Sequence, residues 1–199
     1  MKIVIGCMVV ALCSGVGYAQ TAPAAGAGQG LRYFVGLDLG GGGETLVDLQ
    51  FTNGNTESIK TGGGPQAKGG LEYRFGPTSA VRASFGYEYD NVSGVNGEAT
   101  FSRRPVEVMG MWNFTDNVRL GLGLRYVTGA KFTSSGDIRG LGRFELGSSP
   151  GPVLETEYLY GPWYTTHLGF SFRMVGDRYH YGDTKVNGNH FAIGANYYF

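Results

Sequence analysis

Side chains alternate between apolar and polar along almost the whole chain from Leu31 onward, in eight pieces of about ten residues. A period of two is the signature of a half-buried β-strand, because successive side chains point to opposite faces. In the first piece Leu31, Tyr33, Val35, Leu37 and Leu39 fall on one face, with Arg32, Phe34, Gly36 and Asp38 on the other. The same sorting recurs over 66–75, 80–90, 101–114, 118–128, 151–160, 163–175 and 190–199. One face of each piece is wholly apolar. The other carries Gly, charge or hydroxyl at nearly every place.

The connections sort by length. Short links follow the second, fourth and sixth pieces: Gly76-Pro77-Thr78-Ser79, Thr115-Asp116-Asn117 and Gly161-Pro162. Long links, about 41–65, 91–100, 129–150 and 176–189, follow the odd pieces. Spans of ~9–11 residues joined by alternating short turns and long loops fit a transmembrane, antiparallel, up-and-down β-barrel, an all-β fold. An even strand number leaves both termini on one side, and closure satisfies every backbone group within lipid. Eight strands are expected. Residues 45–51 and 56–61 flank the turn sequence Thr52-Asn53-Gly54-Asn55 and read as a hairpin of the first outer loop. If both cross the membrane, the barrel has ten strands and a wider lumen.

Charged residues make up only 16% of the 199-residue chain, Gly numbers 36, and the formal net charge is +0. That balance gives no basic face for a nucleic acid, so no nucleic-acid partner is expected. Residues 1–19 combine Lys2, an apolar run from Ile3 to Leu12 and the small-x-small ending Gly17-Tyr18-Ala19. They read as an export signal cleaved after Ala19. Both cysteines, Cys7 and Cys13, lie inside it. Residues 20–30 read as a flexible tail, leaving 31–199 as the barrel domain.

Aromatics fall where amphipathic rings favour the two lipid–water interfaces. Phe75, Trp112, Phe114, Tyr160, Trp163, Tyr164 and Phe199 collect at the strand ends nearer the short turns, and Tyr87, Tyr89 and Tyr126 at the other. The terminal Phe199, with Tyr197 two places before it and Gly194 three before that, resembles the signal read by the bacterial outer-membrane assembly machinery. Ala192 stands where that signal usually has a polar residue. With the segments Gly43–Val47, Leu71–Phe75 and Ala99–Arg103, the chain resembles the small outer-membrane β-barrel proteins of Gram-negative bacteria, the OmpX, OmpA-barrel and OmpW-like group. Within that group it most resembles the outer membrane protein beta-barrel domain family. That resemblance covers about 31–199. It implies the fold and an outer-membrane location with both termini periplasmic, and assigns no activity.

The alternation turns Arg32, Lys68, Arg74, Arg82, Arg103, Arg119, Arg125 and Arg173 inward. It also turns Asp38, Glu72, Glu88, Asp90, Glu107, Glu155 and Glu157 inward, with His167 near Arg173 and the glutamates. An eight-stranded barrel is just wide enough for its side chains to fill. Near-balanced charge there implies a paired network that plugs the lumen, since unpaired buried charge is costly. An inward apolar patch of Phe34, Met109, Met111 and Val127 leaves a narrow channel for small hydrophobic or polar solutes as the alternative.

No catalytic constellation, cofactor motif or metal-ligand spacing stands out, so no enzyme is expected. His190 with Ser171 is the nearest approach to a hydrolase pair, and both face inward. His180 sits in the aromatic stretch Arg178-Tyr179-His180-Tyr181. The outer loops carry Glu44, Asp48, Glu57, Glu98, Asp137, Glu145, Asp177 and Asp183 against Lys60, Lys131, Arg139, Arg143, Arg178 and Lys185, with no polybasic arm. The expected role is structural or adhesive, carried by these loops. The expected partners are outer-membrane lipids and lipopolysaccharide, the assembly machinery and a surface protein ligand. The first-loop hairpin would offer a sheet edge for strand addition.

Overall fold

A computed structural model describes residues 29–50, 56–94, 97–136, 142–161 and 167–199. The proposed export signal, most of the tail, Trp163, Tyr164, Asp137 and Arg139 lie outside the described residues. The strands are β1 (Gly30–Gly42), β2 (Thr45–Gln50), β3 (Thr56–Lys60), β4 (Gly64–Arg74), β5 (Ser79–Gly94), β6 (Gly97–Asn113), β7 (Val118–Gly136), β8 (Arg143–Ser149), β9 (Gly151–Leu159), β10 (Leu168–Tyr181) and β11 (Thr184–Tyr198).

Sequence neighbours pair antiparallel, and β11 closes onto β1, from Phe34 opposite Tyr198 to Gly42 opposite His190. β8 and β9 are one strand interrupted at Pro150, which has no N–H for a ladder; both halves pair with β7 and β10. The ring therefore has eight strands. β2 and β3 pair only with each other, so the ten-strand alternative is not realised.

Three long links are shorter than expected because their strands run on. β5 and β6 continue to Gly94 and Gly97, β7 to Gly136, and β10 and β11 to Tyr181 and Thr184. At the opposite end β9 ends at Leu159 and β10 begins at Leu168, later than the expected start at 163. Asn117 ties β7 to the end of β9 there, its side-chain amide donating to the carbonyls of Leu159 and Gly161 at 3.0 Å each.

One irregularity decides which residues enter the upper lumen. Between Ser102 and Arg104 the β6–β7 register shifts. Gly129 takes φ +58°, a left-handed conformation that glycine adopts without steric cost. Inward positions on β7 change from Arg125 and Val127 below the bulge to Ala130 and Phe132 above it.

The solvent logic is inverted. Leu37, Leu39, Val108, Leu122, Leu124, Phe172 and Ile193 all lie on the outer wall, and Leu37 is 68% exposed. Charged side chains fill the inside. A soluble protein does not leave a contiguous apolar band of this kind in water. Phe75, Trp112, Phe114, Tyr160 and Phe199 rim the band at the end that carries both termini, and Tyr87, Tyr89 and Tyr126 rim it at the other.

Candidate functional site: the barrel interior

Among the described residues, seven buried cations face seven buried carboxylates inside the ring: Lys68, Arg74, Arg82, Arg103, Arg119, Arg125 and Arg173 against Asp38, Glu72, Glu88, Glu107, Glu155, Glu157 and Asp177. Each reaches the lumen because it occupies an inward place in its strand's alternation.

At the end carrying the termini, Glu72 accepts from Arg74 at 3.2 Å, Arg82 at 3.2 Å and Arg119 at 3.0 Å. Glu157 accepts from Arg119 at 2.7 Å, Arg82 at 2.9 Å and the Asn196 amide at 2.8 Å. The Tyr198 hydroxyl donates to Glu157 at 2.6 Å and accepts from Arg82 and Arg119 at 2.6 and 2.5 Å. At mid-height Arg173 meets Asp38 at 2.7 Å, Glu155 at 3.1 Å and Glu107. Lys68 holds the same Asp38 at 2.8 Å. Higher up, Arg125 binds Glu107 at 2.9 Å, Glu88 at 2.6 Å and Asp177 at 3.1 Å, with Gln66 at 3.0 Å. Arg103 reaches Glu88 at 2.6 Å and donates to the carbonyls of Gly63, at 2.7 Å, and Thr61.

The result is one ladder from Arg74 to Arg103. Arginine suits it, because a planar fork of donors can serve two or three carboxylates at once. Breaking such a pair strands a buried charge.

The interior also departs from the sequence expectation. His167 is not in the network: it precedes β10, where the alternation no longer applies, and it is exposed. Its Nδ1 lies 2.7 Å from the Tyr198 carbonyl, and its ring stacks on Tyr197. Arg32 sits at the rim, half-buried, its guanidinium 4.9 Å from the Tyr198 ring centre. Asp90 is only partly buried and accepts from the Lys60 amide at 3.4 Å. Asp177, expected in a loop, is a network member because β10 runs past Val175. Continuing the alternation through Arg173 and Val175 would have found it. Gln66, Asn196, Tyr179 and Tyr198 also join the network; they are neutral, so a count of charges does not single them out.

Ser171 Oγ has no hydrogen-bond partner among the described residues, and His190 points its Nδ1 at the Gly188 carbonyl, 2.8 Å away. The two therefore form no catalytic pair here. The apolar patch is divided. Met109 and Met111 pack with Ala80, Val153 and Val175, while Phe34 packs with Leu159 and Tyr198. Val127 belongs to a third cluster above the network, with Ile59, Phe101, Phe132 and Tyr179. Burial pushes the Tyr179 hydroxyl above the ordinary tyrosine range, so it stays a donor, to Asp177 at 3.0 Å.

The terminal residues occupy both faces of β11. Tyr197 and Phe199 project outward with rings 5.1 Å apart, and Gly194 faces inward beneath Asp38.

No protein-family model and no curated protein sequence matches the chain. Solved structures do. Ail, the attachment invasion locus protein of Yersinia pestis, in complex with the heparin analogue sucrose octasulfate, superposes with a TM-score of 0.53 at 14% identity, covering 85% of this chain and 97% of that one. A second Ail structure gives 0.52 at 14% identity, covering 86% and 99%. OprG from Pseudomonas aeruginosa gives 0.49 at 13% identity, covering 87% and 98%. The chain is an outer-membrane β-barrel. The inverted polarity and the likeness in fold together place it in the outer membrane of a Gram-negative cell. Here too no spanning helix is needed, since a closed barrel crosses with strands.

Proposed function

We propose that this outer-membrane barrel is sealed, and that its work is structural or adhesive and done at the outer surface. The carrying observation is the interior: three guanidinium–carboxylate contacts cross the lumen, between Arg82 and Glu155, Arg119 and Glu72, and Arg173 and Glu107. The extended halves of β5–β8, β10 and β11 supply the surface. Above the membrane Arg104, Lys131, Arg178 and Lys185 face outward, at the height where lipopolysaccharide phosphates and surface ligands meet the wall. Ail was crystallised with a sulfated sugar, which supports a surface ligand as the kind of partner to test. Removal of residues 1–19 on export, and reading of Gly194, Tyr197 and Phe199 by the assembly machinery, belong to the same proposal.

Cells displaying the protein are assayed on heparin-coated and matrix-protein-coated wells. The control variant has 178–185 replaced by a two-residue turn. Binding by the complete protein and its loss in the variant supports the surface role. Equal binding by both, or by neither, contradicts it. The second reading, a narrow channel, draws on the buried Met109–Met111 strip along one wall. It is decided by conductance.

A further inference from the structure

One extra residue in β7 decides which face of the wall Lys131 takes. Below the bulge the inward places of β7 are odd-numbered, Arg125 and Val127; above it they are even-numbered, Ala130 and Phe132. The β6–β7 register shifts there, between Ser102 and Arg104 on β6, and Gly129 takes φ +58°. Without the extra residue Lys131 would enter the apolar cluster of Phe101, Phe132 and Tyr179. With it, Thr128 and Gly129 both lie on the outer wall and Lys131 follows them there. Bulges re-aim side chains in this way.

The outer wall has a definite order at this place. Val106 and Tyr126, opposite each other in the β6–β7 ladder, are exposed members of the apolar band. The next pair along the strands is Arg104 and Thr128, and the one after it Ser102 and Lys131. Tyr89 lies opposite Ser102 on the other side, its ring stacked on Tyr87 at 6.3 Å. The stem of Arg104 runs beside the bulge, its Cδ 3.9 Å from where a β-carbon of Gly129 would stand. Among the described residues neither Arg104 nor Lys131 has an ion pair. Glu145, opposite Lys131 on β8, is turned to Arg143 at 3.5 Å. The patch thus sets three cations against one carboxylate, immediately beyond a wall that faces acyl chains.

We infer that Arg104 and Lys131, with the Ser102 and Tyr89 hydroxyls, form a site for a phosphomonoester of an acylated glycolipid in the outer leaflet. Its acyl chains lie on Val106 and Tyr126. A phosphomonoester carries roughly −1.5 to −2 charges near neutral pH, which suits two unpaired cations better than the single charge of a phosphodiester phospholipid. Guanidinium and ammonium both make charge-assisted hydrogen bonds to its oxygens. The assignment rests on the proposed orientation, with the termini periplasmic, and needs no open lumen.

The test titrates the refolded protein in detergent with bisphosphorylated lipid A and counts bound lipid by native mass spectrometry. Saturable binding is expected. Lipid A stripped of its phosphates, and phosphatidylglycerol, should each bind at least about 10-fold more weakly. Arg104→Gln/Lys131→Gln, checked for folding by its heat-modifiable gel band, should weaken lipid A roughly 30-fold. Arg178→Gln/Lys185→Gln, on other strands, should weaken it less than about 3-fold. Equal loss from the two double variants would overturn the site, as would no loss from the first. Equal binding of the stripped lipid would reduce the contact to acyl chains, and equal binding of phosphatidylglycerol would overturn the phosphomonoester assignment. The assay contains no surface ligand, and replacing 178–185 leaves β6 and β7 untouched, so failure here and failure of the surface role read separately.

Discussion

Arg82 on β5 and Glu155 on β9 are 73 residues apart and meet at 2.6 Å. Three ring positions separate their strands, so this contact spans the lumen. The same guanidinium serves Glu72 and Glu157 and lies 4.9 Å from the Phe34 ring centre. Arg82→Ala should cost about 3–5 kcal/mol, because carboxylates remain buried without their partner. Arg82→Met/Glu155→Met should cost less than Arg82→Ala alone. Urea unfolding in detergent, followed by the heat-modifiable band, reads both.

The outer wall should reject charge by depth. Leu122 is 54% exposed in the middle of the apolar band. Leu122→Arg should destabilise the barrel by about 2–4 kcal/mol in vesicles. Ser93→Arg, on the extended part of β5, should stay within about 0.5 kcal/mol. Equal effects would mean the band is not the lipid-facing zone.

Gly194 and Phe199 separate folding from assembly. A β-carbon at Gly194 would lie 1.9 Å from Asp38 Oδ1 and 2.8 Å from the Leu37 carbonyl oxygen. Gly194→Ala should therefore push Asp38 from Lys68 and Arg173 and lower stability in vitro. Phe199 is 62% exposed and its backbone amide bonds the Tyr33 carbonyl at 2.9 Å whatever the side chain. Phe199→Ser should leave in vitro unfolding nearly unchanged and lower the amount reaching the outer membrane in cells.

Ile59 anchors the outer hairpin. Ile59→Ala removes its fully buried side chain, a change of the kind that costs about 2–5 kcal/mol in a packed core. That loss should fall on local closure rather than on the ring. Limited proteolysis should cut the first outer loop faster, with the urea midpoint of the barrel unmoved.

Much of this was legible in the sequence because a barrel wall obeys one rule, a period of two. Residues such as Glu107, Arg119 and Glu157 are placed by that rule alone. It fails where a strand starts, stops or bulges. His167 lies one residue before β10, outside the ladder, so its parity carries no meaning. Asp177 reads as a loop residue when the strand is ended where lipid-facing apolar residues stop. Strands in water need no such residues, as Arg178 and His180 show. The burial of Ile59 was invisible for another reason. A hairpin with Asp48 and Lys60 looks solvated until the glycine runs at its base, Gly40–Gly43 and Gly62–Gly64, fold its other face inward. Tyr198 is hidden by chemistry, since an aromatic ring turns its hydroxyl to three charged groups of the lumen, Glu157, Arg82 and Arg119.

The closed interior is tested most directly by conductance of the refolded barrel, residues 20–199, in planar bilayers. A heat-modifiable band should confirm folding in the same preparation. The paired ladder from Arg74 to Arg103 should leave the bilayer silent, and Arg82→Ala/Arg119→Ala should introduce small steps. Steady open channels from the unaltered protein would contradict the sealed barrel and make solute passage its leading role.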